Sequence, residues 1–157
     1  MKILVFSDSH GEIGRMAQII GASDVCGVIF LGDYVRDIDK VASLHPHLNY
    51  YVVAGNCDFL SPVPDEGIVE LGGAKIFLTH GHRHGVKSDL SRLAAYAKNA
   101  GADAAFYGHS HVAYYGEIDG IVLLNPGSIT EPRGDIGASY ALLEIVDGEF
   151  DVRIVEI

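Results

Sequence analysis

Five apolar stretches of this chain each run into a residue able to bind a cation or move a proton. Asp8 and His10 follow "KILVFS" (residues 2–7), Asp33 follows "GVIFLG" (27–32) and Asn56 follows "NYYVVAG" (49–55). His80 follows "AKIFLT" (74–79), and His109 and His111 follow "AAFYG" (104–108). Carboxylate, imidazole and amide donors mixed in this way suit Mn²⁺, Fe²⁺, Ni²⁺ or Zn²⁺ better than the all-oxygen sites of Ca²⁺ and Mg²⁺. Taken singly, each has an ordinary explanation, since Asp-x-His and Gly-Asn occur in turns and Gly-Asp can cap a helix. Five strand ends would need that coincidence five times over, so the set reads as a metal site. Glycines at 32, 55 and 108 stand directly before Asp33, Asn56 and His109, where the backbone must turn sharply toward a shared centre.

Such residues need a scaffold that delivers many strand ends to one rim. In the first half, strands at 2–7, 27–32 and 49–55 alternate with helices at 13–22 and 35–44, a βαβαβ order. From residue 67 the pattern changes to hairpins. Gly72-Gly73, Asp119-Gly120 and Asp147-Gly148 each join two apolar runs and suit turns with positive φ. One more helix is expected over residues 88–101, stopped by Gly101, before the strand at 104–108. The expected class is α/β: two mixed β-sheets packed together with helices on their outer faces, ligands gathering beyond the carboxyl ends of the strands.

The chain has 157 residues, one domain by size and long enough to bury a core without disulfides. Its net charge is −10, from 11 basic and 21 acidic residues, the wrong balance for holding long nucleic acid by its phosphates. An anionic substrate must therefore be welcomed locally, and bound divalent cations would do so. Cys26 and Cys57 form no CxxC pair, which suits a reducing compartment. The opening "MKILVFSDSH" lacks a signal-peptide or membrane-length apolar run, and the expectation is a soluble, cytoplasmic protein.

The ordered set D-x-H, GD, GN, H and GHxH over residues 8–111 resembles the calcineurin-like metallophosphoesterase superfamily, and "GNCD" with the small size resembles its YfcE-like phosphodiesterases. The resemblance implies a four-layer αββα sandwich over residues 1–157. It also implies two divalent metal ions, Mn²⁺ foremost, with Fe, Ni or Zn as alternatives. Asp8, His10 and His111 would hold one ion, Asn56, His80 and His109 the other, and Asp33 would bridge them. Two metals roughly 3.5 to 4 Å apart can share a water, lower its pKa and clamp a phosphoryl group for in-line attack by the bridging hydroxide. The implied activity is hydrolysis of small phosphodiesters, and a homodimer or homotetramer is a family-based expectation.

Cys57 stands where most of that superfamily has histidine. A thiol with an ordinary pKa near 8.5 donates a weak hydrogen bond but supplies no positive charge. Losing that cation should hurt dianionic monoesters more than monoanionic diesters. Cys57 could equally be a small packed residue. Asp58 matches the family's acidic partner or simply caps the loop. In "THGHRHG", His82 can approach the phosphate or stand behind the ligands, whereas His84 reads as a solvated loop histidine. His45 and His47, flanking Pro46, read as a helix exit. In "NPGSITEPRG", Asn125, Ser128 and Arg133 are available to a substrate, and Arg36 and Arg133 are candidate phosphate contacts. The rival readings are a phosphomonoesterase, and an interaction scaffold on this fold such as the retromer subunit that resembles these enzymes.

Overall fold

The computed structural model describes residues 1–157. Three parallel strands, β1 (Lys2–Phe6), β2 (Gly27–Phe30) and β3 (Asn49–Val52), alternate with helices α1 (Ile13–Gly21) and α2 (Val35–Leu44). The hairpin β4 (Glu66–Leu71) and β5 (Ala74–Thr79) follows, then α3 (Ser91–Asn99) and β6 (Ala104–Phe106). Two further hairpins, β7 (Tyr114–Ile118) with β8 (Ile121–Asn125) and β9 (Ser139–Val146) with β10 (Glu149–Glu156), complete the chain. The strands form two five-stranded mixed sheets, in the orders β10-β9-β1-β2-β3 and β4-β5-β6-β8-β7.

Strands buried on both faces read as continuous apolar runs rather than alternating ones, and the period of two assigns each residue to a layer. Ile3 and Val5 of β1 and Ile29 of β2 face the second sheet, where they meet Ile76, Leu78, Phe106 and Leu124 in the central core. Their neighbours Leu4, Phe6, Val28 and Phe30 face outward against Met16 and Ile20 of α1 and Ile38 and Val41 of α2. On the other side, Phe77, Ala105 and Leu123 meet Leu93, Ala94 and Ala97 of α3. The result is the helix–sheet–sheet–helix order expected from the sequence.

All three two-residue turns take the left-handed pair that hairpins of this twist require, with φ of 57 and 86° at Gly72-Gly73, 52 and 82° at Asp119-Gly120, and 50 and 83° at Asp147-Gly148. The last helix is shorter than the sequence suggests. The Asp89 carboxylate takes the Ser91 N–H at 2.9 Å, so the helix begins at Ser91 rather than residue 88. No helix is long and apolar enough to cross a membrane.

Phe106 is fully buried between the sheets and meets the Phe150 ring edge-on with centroids 6.1 Å apart. Phe106→Ala removes the largest side chain that ties β6 to the opposite sheet. It should lower unfolding free energy by about 3–5 kcal/mol, read from the shift in urea midpoint.

Candidate metal centre

Asp8, Asp33 and Asn56 leave the ends of β1, β2 and β3, while His80, His109 and His111 leave β5 and β6 of the facing sheet, so both sheets deliver their polar residues to one rim. Asp8, His10 and His111 offer ligand atoms that all lie within 4.8 Å of one another, and so do Asp8, Asp33 and His80. Asn56 joins the second group through its amide oxygen, 3.1 Å from His80 Nε2. The His109 ring packs against that of His80, with centroids 5.1 Å apart. Every residue in the expected ligand set is thereby brought to the cluster. The carboxylate common to both groups is that of Asp8, while Asp33 presents Oδ1 to His80 Nε2 at 3.5 Å and Oδ2 to His10 Nε2 at 3.9 Å.

The backbone bends to bring these groups in. Asp8, His10, Asp33, His109 and His111 all have positive φ, between 42 and 65°, a conformation uncommon outside glycine that persists only where surrounding packing enforces it. The glycines supply close approach. A Cβ at Gly55 would land on the Asp33 carboxylate, and one at Gly108 on the Ser7 hydroxyl beside Asp8.

Two histidines are oriented by carbonyls. His80 Nδ1 is 2.7 Å from Leu31 O, and His111 Nδ1 is 2.7 Å from Glu131 O. A carbonyl can only accept, so each Nδ1 carries the hydrogen and each Nε2 turns its lone pair into the cluster. There His111 Nε2 lies 3.1 Å from Asp8 Oδ1, and His80 Nε2 lies 3.9 Å from the same oxygen. Lone pairs aimed at carboxylates repel unless a proton or a metal cation stands between them. Asp8 Oδ1 and His10 Nε2 are buried with no hydrogen-bond partner, as is His82 Nδ1. These orphaned atoms, each a good ligand type, fit a bound divalent metal.

The titration of these groups expresses the same frustration. Burial disfavours the charged forms of His80 and His111, yet Asp8 and Asp33 around His80, and Asp8 beside His111, raise both imidazole pKa values. Burial would raise the Asp33 pKa, but hydrogen bonding and charge from His80, with the Cys57 N–H at 2.8 Å, hold it well below the usual carboxylate range. His109 moves the other way, down to about 4, through burial and the charge of His80. Burial and His80 likewise lower His82. The Cys57 thiol is exposed at the surface, and partial desolvation with Asp33 beside it pushes its pKa up to about 11.

Several neighbours brace the cluster, and three sequence-based expectations need correction here. Asn125 and Ser128 are fully buried and turn into the protein rather than outward. Asn125 donates to Gly108 O and Ser110 Oγ, both at 3.0 Å, and Ser128 donates to Asp8 O at 2.8 Å, so they brace the two ligand loops. His84 is buried rather than solvated, its Nε2 2.9 Å from Glu66 Oε2 and its ring against Phe77 and Tyr96. Asp58 acts as a cap, accepting from Tyr34 N, Val35 N and Gly55 N at 2.7–2.9 Å. It locks the loop bearing Asn56 to the start of α2. Asp37, which the sequence reading missed, accepts from Ser9 Oγ at 2.8 Å and Gly11 N at 2.7 Å and so fixes the turn carrying His10. An Asp in the first turn of a helix was its only sequence signal. His45 closes α2, away from the cluster. Arg36 stacks 4.8 Å over Tyr34, and Arg133 donates its backbone N–H to His111 O.

Residues 1–148 match the calcineurin-like phosphoesterase superfamily domain. The chain is 38% identical over 160 residues to the probable metallophosphoesterase YsnB of Bacillus subtilis strain 168, covering 99% of this chain and 91% of that one. It is 29% identical to the phosphodiesterase YfcE of Escherichia coli K12, over 92% of this chain and 88% of YfcE. The crystal structure of a predicted phosphoesterase from Streptococcus pneumoniae TIGR4 superposes with a TM-score of 0.85 at 34% identity, covering 99% of this chain and 88% of that one. The chain belongs to the calcineurin-like phosphoesterase superfamily, a family of divalent-metal phosphoesterases, and its two-sheet architecture is that family's fold.

Because a metal must displace the protons that Asp8 and Asp33 hold on His80 and His111, binding should release protons. Both imidazole pKa values are raised, so affinity should be highest above them and weaken as pH falls through them. Calorimetric titration of Mn²⁺ in buffers of different ionisation enthalpy checks this, and the expected outcome is net proton release that grows toward lower pH.

Proposed function

We propose that this superfamily member is a phosphodiesterase that works as one metallophosphoesterase domain with two divalent ions, Mn²⁺ foremost, on small phosphodiesters in the cytoplasm. Asp8, His10 and His111 would hold one ion, Asn56, His80 and His109 the other, and Asp33 would span the two. The observation that carries this reading is the pair of orphaned buried atoms, Asp8 Oδ1 and His10 Nε2, facing a carboxylate that turns one oxygen to each side. Ions bound there would neutralise charge on the phosphoryl oxygens and lower the pKa of the attacking water.

The chain's own groups orient and select. The hydrogen bonds from His80 and His111 to Leu31 and Glu131 hold the rings so that only Nε2 faces the reaction, and Asp58 fixes the Asn56–Cys57 loop over it. His82 lies beside the His80 and His109 rings, with centroids 5.6 and 6.2 Å away. Its lowered pKa keeps it neutral near pH 7, so it serves as a hydrogen-bonding partner for an ester oxygen rather than as a fixed cation.

Cys57 supports the choice of diester over monoester. With its thiol pKa pushed up to about 11, Cys57 remains neutral at physiological pH. It is neither a nucleophile nor a cation, and gives a dianionic monoester nothing to offset its second charge. A monoanionic diester needs no such partner. Preference for esters with good leaving groups follows, because no strong acid stands ready to protonate a poor one.

Metal-stripped protein should hydrolyse bis(p-nitrophenyl) phosphate only after Mn²⁺ is restored. Asp33→Asn should cut that rate by roughly 100-fold or more, the scale seen when a group acting directly on the reacting centre is removed. Turnover of neither diester nor monoester by protein that demonstrably binds Mn²⁺ would reject the enzyme in favour of the scaffold reading. Cys57→His should raise p-nitrophenyl phosphate hydrolysis relative to the diester; an unchanged ratio in a folded, metal-loaded variant would remove Cys57 from the account of specificity.

A further inference from the structure

Two residues beyond Cys57 the chain exposes large apolar groups that the metal cluster does not explain. Phe59 is 91% exposed and Leu60 is 100% exposed. Leu60 also has φ of 61°, where a branched side chain is strained. Single exposed apolar residues are ordinary, but an adjacent pair held at a strained tip beside a polar cluster marks a surface that something covers.

Phe59 forms the wall between two grooves. One, of about 530 Å³, contains Asn56 and His82 and is the approach to the cluster. The other, of about 370 Å³, lies between Phe59 and the start of α2, with Tyr34, Arg36 and Asp39 along its far side. Both volumes fall within the usual range for small-ligand sites, about 300–1,000 Å³. Cys57 lines the second groove and Asn56 the first, so the two meet across adjacent residues of one loop. A phosphoryl group at the cluster could therefore send one ester substituent into the second groove.

The chemistry of that groove is specific. The Tyr34 ring lies 5.0 Å from the His10 ring and carries the Arg36 guanidinium at 4.8 Å. Aromatic and guanidinium faces on one side, with an uncovered phenyl ring on the other, favour a flat π-system over an alkyl group of equal size. Arg36 and Asp39 at the edge offer a donor and an acceptor to a ring with polar substituents. We infer that the groove between Phe59 and Tyr34–Arg36 is a subsite for an ester group ending in a planar, polar-edged ring of the nucleobase type, and that Phe59 is the residue that selects it. The identity of the phosphoryl centre rests on the phosphodiesterase reading above. The acidic surface limits such a substrate to nucleotide size rather than long nucleic acid.

Benzyl(methyl)phosphinate and cyclohexylmethyl(methyl)phosphinate test the inference. Both are monoanions resembling a diester, both attach their groups through P–C bonds that hydrolysis does not break, and they differ in the flatness of one ring. Calorimetric titration of Mn²⁺-loaded protein should show the benzyl compound binding roughly ten-fold tighter, the scale of one base–aromatic stack. Phe59→Ala should erase that preference and Phe59→Tyr should keep it. Equal affinities, binding of neither, or a preference that survives Phe59→Ala overturns the subsite. So does light scattering that shows a dimer lost on Phe59→Ala, since the loop would then be covered by a second copy. Hydrolysis of bis(p-nitrophenyl) phosphate by the same samples separates the two claims. Turnover without ring preference removes only the subsite, and ring preference without turnover removes only the hydrolase.

Discussion

Asp8 and Asp33 are buried within 4.8 Å of one another, and carboxylates taken out of water cost several kcal/mol each unless charge or hydrogen bonds compensate. The compensation within the protein is partial. Asp8 Oδ2 receives the Ser7 hydroxyl at 2.6 Å and the His109 N–H at 3.1 Å, but Oδ1 receives no hydrogen bond. Asp33 Oδ1 receives the Cys57 N–H. The remainder falls to imidazoles whose Nδ1 hydrogens are committed to backbone carbonyls, so that their Nε2 atoms point inward. Without a cation, protons on His80 and His111 must fill the gap, which is why their pKa values rise while those of His82 and His109 fall. Divalent ions would resolve the same imbalance more completely, and the substrate's negative charge would then meet a local positive centre on an acidic protein.

Such a centre would require a stiff scaffold. Five left-handed residues at the cluster each carry a backbone penalty on the order of 1–3 kcal/mol, softened for Asp and His, whose short polar side chains tolerate that region. The apolar core on both faces of each sheet holds the strand ends while the loops bend. Gly55 and Gly108 then let the loop of one strand rest directly on the carboxylate of another, a closeness that no side chain at those positions would permit. Asp37, Asp58, Asn125 and Ser128 lock the loops from behind. Precision at the centre is thus drawn from buried hydrogen bonds to backbone rather than from the ligands themselves.

Much of this was legible in the sequence because it is written locally. An apolar run followed by Asp, Asn or His marks both a strand and the residue that leaves it, and a Gly-Gly or Asp-Gly pair between apolar runs can fold in few ways. What escaped depends on distant partners. His84 looked solvated because Glu66 lies 18 residues away and Tyr96 comes from a helix that packs over it only in the folded chain. Asn125 and Ser128 looked free because a polar loop does not reveal that its side chains turn inward to Gly108 and Asp8. Asp37 was indistinguishable from a routine first-turn carboxylate. The groove at Phe59 was invisible, since its facing wall comes from residues 34–39 of another element.

The cluster also divides labour between chemistry and selection. The residues at the strand ends would carry the chemistry, whereas Cys57, Phe59 and Leu60 sit exposed on the loop that follows Asn56. Charge at position 57 would govern how many negative charges the substrate brings, and the ring at position 59 what it carries. Both roles would depend on a paired metal site beneath them. Electron paramagnetic resonance of the stripped protein titrated with Mn²⁺ tests that foundation most directly. The account predicts a spin-coupled spectrum that saturates at two ions per chain, because Asp8 belongs to both groups of ligands and Asp33 would span the two ions. A spectrum of isolated Mn²⁺ at every ratio, or no bound signal, would contradict it.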